Sequence, residues 1–293
     1  MADEHSGGWG PFIEWAVRFY EMANFDEEER EYKFRAIEPL MRAREMLADA
    51  GPWQTELHQG LTNNSNNLVS HWVFVPFLDW LDAHPEDAAK GLRALWLGSD
   101  QGGPERIEAL HEVMPKEVVP GRGSRCNLFA YLLGALDPLA YPNYRITAMR
   151  LAFELTRTPP PDPSSSPGAL YEHAIAFFDE MVSEARARGL NLRDRLDAQS
   201  LMWCVTQWQD PPSFTAEQWD ELLIYRTIPS RLRLEKRGAG KPSKSPVRRR
   251  PHPVCPLCAE DQEVTFIGPV GDRWEFVCEA GPGHSEPYEF SHG

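Results

Sequence analysis

Residues Ala169 to Trp208 read ALYEHAIAFFDEMVSEARARGLNLRDRLDAQSLMWCVTQW, and the spacing of apolar residues here decides the fold class. Leu170, Tyr171, Ala174, Phe177, Phe178 and Met181 recur at three- and four-residue intervals, the period of a helix that buries one face. The pattern breaks at Gly189 and then resumes, so the stretch predicts two long helices separated there. Arg193, Asp194, Arg195 and Asp197 alternate in charge at the start of the second. That density predicts an ion-pair network within or between helices in preference to a ligand site.

The same period runs outward in both directions. GPFIEWAVRFYEMANFDEEEREYKFRAIEPLMRAREMLADAG (10–51) predicts two helices broken near Asn24 to Asp26, with Asp26 as the cap and Glu27, Glu28 and Glu29 in the first turn of the second. An Asn-rich polar turn leads into VFVPFLDWLDAHP, where Pro76 is expected to start a helix with Phe77, Leu78, Trp80 and Leu81 facing inward. PEDAAKGLRALWLGS predicts a further helix stopped by glycine. PERIEALHEVMP, the loop GRGSRC and the apolar NLFAYLLGAL follow, and Tyr144 and Arg145 precede a helix carrying Met149, Leu151, Ala152, Phe153 and Leu155. RTPPPDPSSSPG is a Pro/Ser loop. TAEQWDELLIYR opens with Thr215 and has Gln218 three residues on, a capping box. Residues 1–227 therefore predict a mainly α-helical body. Trp15, Tyr20, Trp72, Trp80, Trp96, Trp203, Trp208 and Trp219 fall at helical spacing among other apolar residues and read as core more readily than as a base-stacking cage.

Composition changes sharply after the body. Residues 228–253 carry Arg231, Arg233, Lys236, Arg237, Lys241, Lys244, Arg248, Arg249 and Arg250 against Glu235, a net charge of +8. With few large apolar residues and several Pro, Gly and Ser, this stretch reads as a basic flexible linker, and its nine cations are the candidates for contact with nucleic-acid phosphates. Residues 254–293 carry −7, which leaves −15 for residues 1–227 of the chain total of −14. So acidic a body is disfavoured from adhering to DNA as a whole surface, and phosphate contact would fall to local patches or the linker. No apolar run reaches the roughly 20 residues of a membrane helix, and the N-terminal MADEHSGGWG has no secretory pattern, so a cytoplasmic protein with no membrane partner is expected.

Within residues 254–293, EVTFIG and RWEFVC are two β-type runs joined by a Gly/Pro turn. They lie between Cys255-x2-Cys258 and Cys278-x5-His284, with nineteen residues separating Cys258 from Cys278. Three thiolates and one imidazole at this spacing predict a zinc-ribbon-like β-hairpin module holding one structural zinc per chain, with His252 and His292 as reserve fourth ligands. A module of this size has little core, so the metal would supply much of its folding free energy. Four protein ligands leave no open position for substrate, which makes the zinc structural. The remaining cysteines, Cys126 and Cys204, sit in apolar surroundings, consistent with a reducing compartment.

No catalytic motif is complete. GAGKPS (238–243) lacks the upstream glycine of a phosphate loop, where Glu235 stands, and Pro242 follows its lysine. HEVMP at 111–115 holds half of a His-Glu-x-x-His motif, with Pro115 in place of the second histidine, so His111 reads as a helix-surface residue. His71 and His173 read as solvated or locally satisfied side chains. Arg122, Arg125 and Arg145, placed between helices, offer a basic pocket.

Three stretches, NNLVSHWVFVPFLDWLDAHPEDA, YPNYRITAMRLAFELTRTPPP and LYEHAIAFFDEMVSEARARGLNLRDRLDAQSLMWCV, resemble the amino-terminal region that precedes the motor domain in actinobacterial McrB-type proteins, the nucleotide-hydrolysing subunits of modification-dependent restriction systems. The resemblance covers residues 10–227 and ends where those proteins place a phosphate-loop motor. It implies a non-enzymatic recognition or adaptor protein of a restriction-like defence system, with DNA and a motor or nuclease protein as partners. The alternative is a protein-interaction scaffold with no nucleic-acid role, in keeping with the acidic body. A third reading is an enzyme whose site assembles from scattered residues.

Overall fold

The computed structural model describes residues 8–63, 66–98, 101–209, 211, 213–238, 264–270 and 273–278, with side chains described through residue 229. Among the described residues the body is helical: α1 (Trp9–Tyr20), a π-helical turn (Glu27–Glu31), α2 (Tyr32–Ala48), α3 (Trp53–Thr62), α4 (His71–Ala83), α5 (Pro85–Leu97), α6 (Gly103–Val113), α7 (Arg122–Leu133), α8 (Ile146–Thr156), α9 (Pro167–Ala187), α10 (Arg195–Gln207) and α11 (Ala216–Gly238). The long stretch 169–208 forms α9 and α10 as its period requires. Gly189 turns the chain between them at φ 87°, a conformation that costs glycine nothing and other residues about 1 kcal/mol or more.

Helices pack as neighbours along the chain and across it: α2 on α3, α5 on α6, α6 on α9, and α1 on α10. Phe12, Phe19, Phe77, Phe129, Phe177 and Phe178 are fully buried in one contiguous core, each adding on the order of 2 kcal/mol by transfer from water. Gly60 permits the close approach of α3 to α2, because a Cβ there would lie 2.5 Å from Leu40 Cδ2. Tyr131 on α7 shares its one hydroxyl proton between the carbonyls of Ala36 on α2 (2.9 Å) and Gly60 on α3 (2.8 Å), fixing α7 against both helices. The Thr215 capping box forms in both directions, Gln218 N to Thr215 Oγ1 at 3.2 Å and Thr215 N to Gln218 Oε1 at 2.9 Å.

Several local expectations need correction. Pro76 lies inside α4, which begins five residues earlier at His71; the inward set Phe77, Leu78, Trp80 and Leu81 is nevertheless buried. Asp26 already has helical φ and ψ and caps nothing, its carboxylate being taken by Arg193. Most of GRGSRC belongs to the first turns of α7. α11 continues to Gly238, so residues 228–238, expected as linker, are helical. Further along, β1 (Val264–Val270) and β2 (Arg273–Cys278) pair antiparallel, Val264 opposite Cys278 and Val270 opposite Arg273, with an irregularity between Phe266 and Gly268.

Candidate functional site

Where the π-helical turn meets α10 the body opens into a groove of about 500 Å³. Glu27, Glu28 and Glu29 come from the turn, Tyr32 and Arg35 from the start of α2, Asn67 and Leu68 from the segment before α4, Arg145 from the cap of α8, Gln199 and Trp203 from α10, and Trp208 from its C-terminal end. A π-helical turn is a costly local geometry that concentrates at functional sites, and this one puts three consecutive glutamates on one lining.

The floor is an ion pair removed from water. Lys33 Nζ, 2% exposed, lies 3.3 Å from Glu29 Oε2 and donates to Gln199 Oε1 (2.9 Å) and Ser200 Oγ (2.7 Å). Ser200 Oγ in turn donates to the Glu29 carbonyl at 3.0 Å, so α10 holds the turn through both side chain and backbone. Burial pushes the Glu29 carboxyl above its usual range and the Lys33 ammonium below its own, and each partner's charge opposes the other's shift. Burial and the nearby Glu29 charge also drive the Tyr32 phenol strongly upward, keeping it a neutral hydroxyl.

One wall is the segment 66–68, set by donors that converge on two carbonyls. Asn127 (3.1 Å), Asn143 (3.0 Å) and Arg145 (3.3 Å) all donate to the Leu68 carbonyl, and Arg145 also reaches the Asn67 carbonyl at 2.8 Å. The Arg145 guanidinium then lies 4.8 Å from the Trp203 ring centroid, a cation–π contact inside the groove.

Behind the π-helical turn, the charges of LRDRLDAQ form the expected network. Arg30 bridges Asp194 (2.6 Å) and Asp197 (2.6 Å); Arg193 grips Asp197 through Nε at 2.8 Å and also pairs with Asp26. Asp194 caps α10 through the Asp197 amide at 3.0 Å, and Tyr20 donates to Asp197. The Arg193 hydrogen bond holds the Asp26 carboxyl below its usual value. At Asp194 burial is the largest single influence and pushes upward, but the Arg30 hydrogen bond, the Asp197 and Leu196 amides and the Arg30 charge together outweigh it, and the net shift is downward. Arg195 stands apart, paired with Asp179 at 2.6 Å.

Of the residues singled out by sequence, Arg122, Arg125 and Arg145 do not share a pocket. Arg122 ties the 162–165 carbonyls, and Arg125, 2% exposed, binds the carbonyls of Met114, Pro115 and Val119. Arg145 alone reaches the groove. His111 is half-buried, with Nδ1 2.9 Å from Arg125 Nη1; because arginine only donates, Nδ1 is the acceptor. It is a partner of the Arg125 staple and not a free surface residue. Trp203 and Trp208 line the groove, and Trp72 is 55% exposed, so the aromatics divide between core and surface. Cys126 and Cys204 are buried thiols.

Cys255, Cys258 and His284 lie outside the described residues, and Cys278 closes β2. Among the described residues no group of three or more His, Cys, Asp or Glu side chains is placed to hold a metal ion. Arg231, Arg233, Lys236 and Arg237 fall on the last turns of α11, while Lys241, Lys244, Arg248, Arg249 and Arg250 lie outside the described residues. No described helix is long and apolar enough to cross a membrane.

The groove as a unit was not foreseen from the sequence. Its signals were scattered, the acid run at 27–29, the Asn-rich turn before α4, Arg145 and the tryptophans at 203 and 208, and none of them names the others as neighbours. Compared with known protein families, with curated proteins and with solved structures, the chain matches none.

Proposed function

We propose that the chain is a recognition or adaptor protein of a restriction-like defence system, in which the helical body performs the recognition and the basic segment supplies phosphate contacts. One observation carries the reading: the three stretches that resemble McrB-type amino-terminal regions meet at the groove. Asn67 and Leu68 come from the first, Arg145 from the second, Gln199 and Trp203 from the third. Residues Arg231 to Arg250 would hold a DNA backbone that the body, at −15, repels elsewhere. Cys255, Cys258, Cys278 and His284 would hold one structural zinc, a soft thiolate-rich set suited to that ion, and the module so folded would dock a motor or nuclease protein.

Gel retardation with plain and cytosine-modified duplexes at several salt concentrations tests this. The full chain should retard DNA at low salt, and binding should weaken steeply as salt rises. Arg248→Ala/Arg249→Ala/Arg250→Ala should flatten the salt dependence by about one unit of slope per lost phosphate contact. No retardation at low salt removes the DNA reading. The acidic body favours a second reading, a protein-interaction scaffold without nucleic acid; recovery of one partner at equal yield with and without nuclease treatment would support it.

A further inference from the structure

We propose that the groove is a binding site for a guanidinium-bearing ligand, entered between the π-helical turn and Trp203. A cavity of about 500 Å³ falls within the roughly 300–1,000 Å³ of small-ligand sites. Its innermost cations are already committed, Lys33 beneath the lining to Glu29, Gln199 and Ser200 and Arg145 to two carbonyls and the Trp203 face, while Arg35 makes only an exposed 3.5 Å pair with Glu31. Its outer carboxylates are not committed. Glu27 and Glu28 are exposed and make no side-chain hydrogen bond or ion pair among the described residues. The three carboxylates of the lining outnumber its two guanidiniums, so the lining favours a cation.

The choice among cations follows from the other walls. Trp203 and Trp208 present flat, partly exposed rings, and the groove already stacks one guanidinium, that of Arg145, on Trp203. A planar cation with in-plane donors satisfies such a lining better than a compact ammonium, because it can stack on an aromatic ring while directing paired N–H groups at a carboxylate. An anionic ligand would meet Glu27, Glu28 and Glu29 within a body of net −15. Two sources carry the same chemistry, a free small guanidine or an arginine side chain in a partner's peptide. The inference stands independently of DNA binding, since it rests on the groove and not on the basic segment.

Isothermal titration of the full chain decides it, with N-acetyl-arginine amide, agmatine and the neutral isostere N-acetyl-citrulline amide. The arginine compound should bind one to one, and citrulline about tenfold or more weakly, the value of losing one charge-assisted contact. Glu27→Gln/Glu28→Gln, at exposed positions, should lower arginine affinity about tenfold with the melting temperature unchanged. Agmatine binding as tightly as the amide identifies a free guanidine as the source, whereas preference for the amide identifies a peptide. Equal affinity for arginine and citrulline, an unchanged double variant, or no binding at millimolar ligand would overturn the proposal.

Discussion

Replacing Lys33 with methionine leaves the Glu29 carboxylate, 5% exposed, without its hydrogen-bonded counter-charge, only the weaker field of Arg145 remaining, and strips the donor from Gln199 Oε1. Removing one partner of a buried ion pair costs about 3–5 kcal/mol, because the surviving charge has neither water nor counter-charge. In a domain of this size 1 kcal/mol moves the melting temperature by about 2–4 °C, so a drop of roughly 10 °C is expected. Glu29→Leu/Lys33→Met removes both charges at once. Ser200 Oγ still has the Glu29 carbonyl to donate to, and only Gln199 Oε1 loses a partner, at about 1–3 kcal/mol. The double variant should therefore be more stable than Lys33→Met alone. Urea denaturation followed by far-ultraviolet circular dichroism measures both. A single variant losing less than about 1 kcal/mol, or a double variant weaker than the single, would refute the claim that two mutually dependent charges hold the groove floor.

Asp197, fully buried, accepts from Arg30, Arg193 and Tyr20, so Asp197→Asn should cost about 3 kcal/mol or more. Arg35→Ala breaks an exposed pair and should cost under about 0.5 kcal/mol in the same urea assay. Acid stability should fall in two stages. His111, its pKa lowered first by burial and then by Arg125, stays neutral in the fold, so the unfolded chain takes up a proton first as pH falls through 6.5 and stability begins to decline there. Asp26 and Asp194 have lowered folded pKa values, so the stability they add is complete above 3.8 and is lost as pH falls below it. Urea midpoints against pH, with His111→Gln removing the upper stage, check this. Metal analysis of the purified chain should give about one zinc, and Cys258→Ser should abolish it while the helical signal persists; metal-free protein with an ordered hairpin would contradict the zinc assignment.

Helical period carried the reading furthest where one face is buried continuously. α8, α9 and α10 stand where their apolar spacing placed them, and the Thr215 capping box needed only two residues three apart. Local rules failed where a tertiary partner competed. Asp26 has the chemistry of a cap, but Arg193 offers its carboxylate a charged partner, and the chain is already helical there. Pro76 resembled a helix start because proline is tolerated there, yet α4 accommodates it one turn in, where a single backbone bond is forfeited. The groove was hidden for a different reason. Glu29 and Lys33 are an ordinary i,i+4 pair on paper, and only the approach of Gln199 and Ser200, 166 and 167 residues away from Lys33, reveals them as a buried floor. Arg122, Arg125 and Arg145 share a residue type and a loop-like context, but carbonyl positions that no spacing encodes send them to three different tasks.

The central claim, that recognition occurs at the groove beneath the π-helical turn, is tested most directly by hydrogen exchange of the full chain with and without bound arginine amide, and again with bound duplex. The account predicts new protection at residues 27–32 and 199–208 with at least one of these ligands. Binding that leaves both segments unchanged and protects only the exposed start of α4 around Trp72 or the outer face of α11 would contradict it.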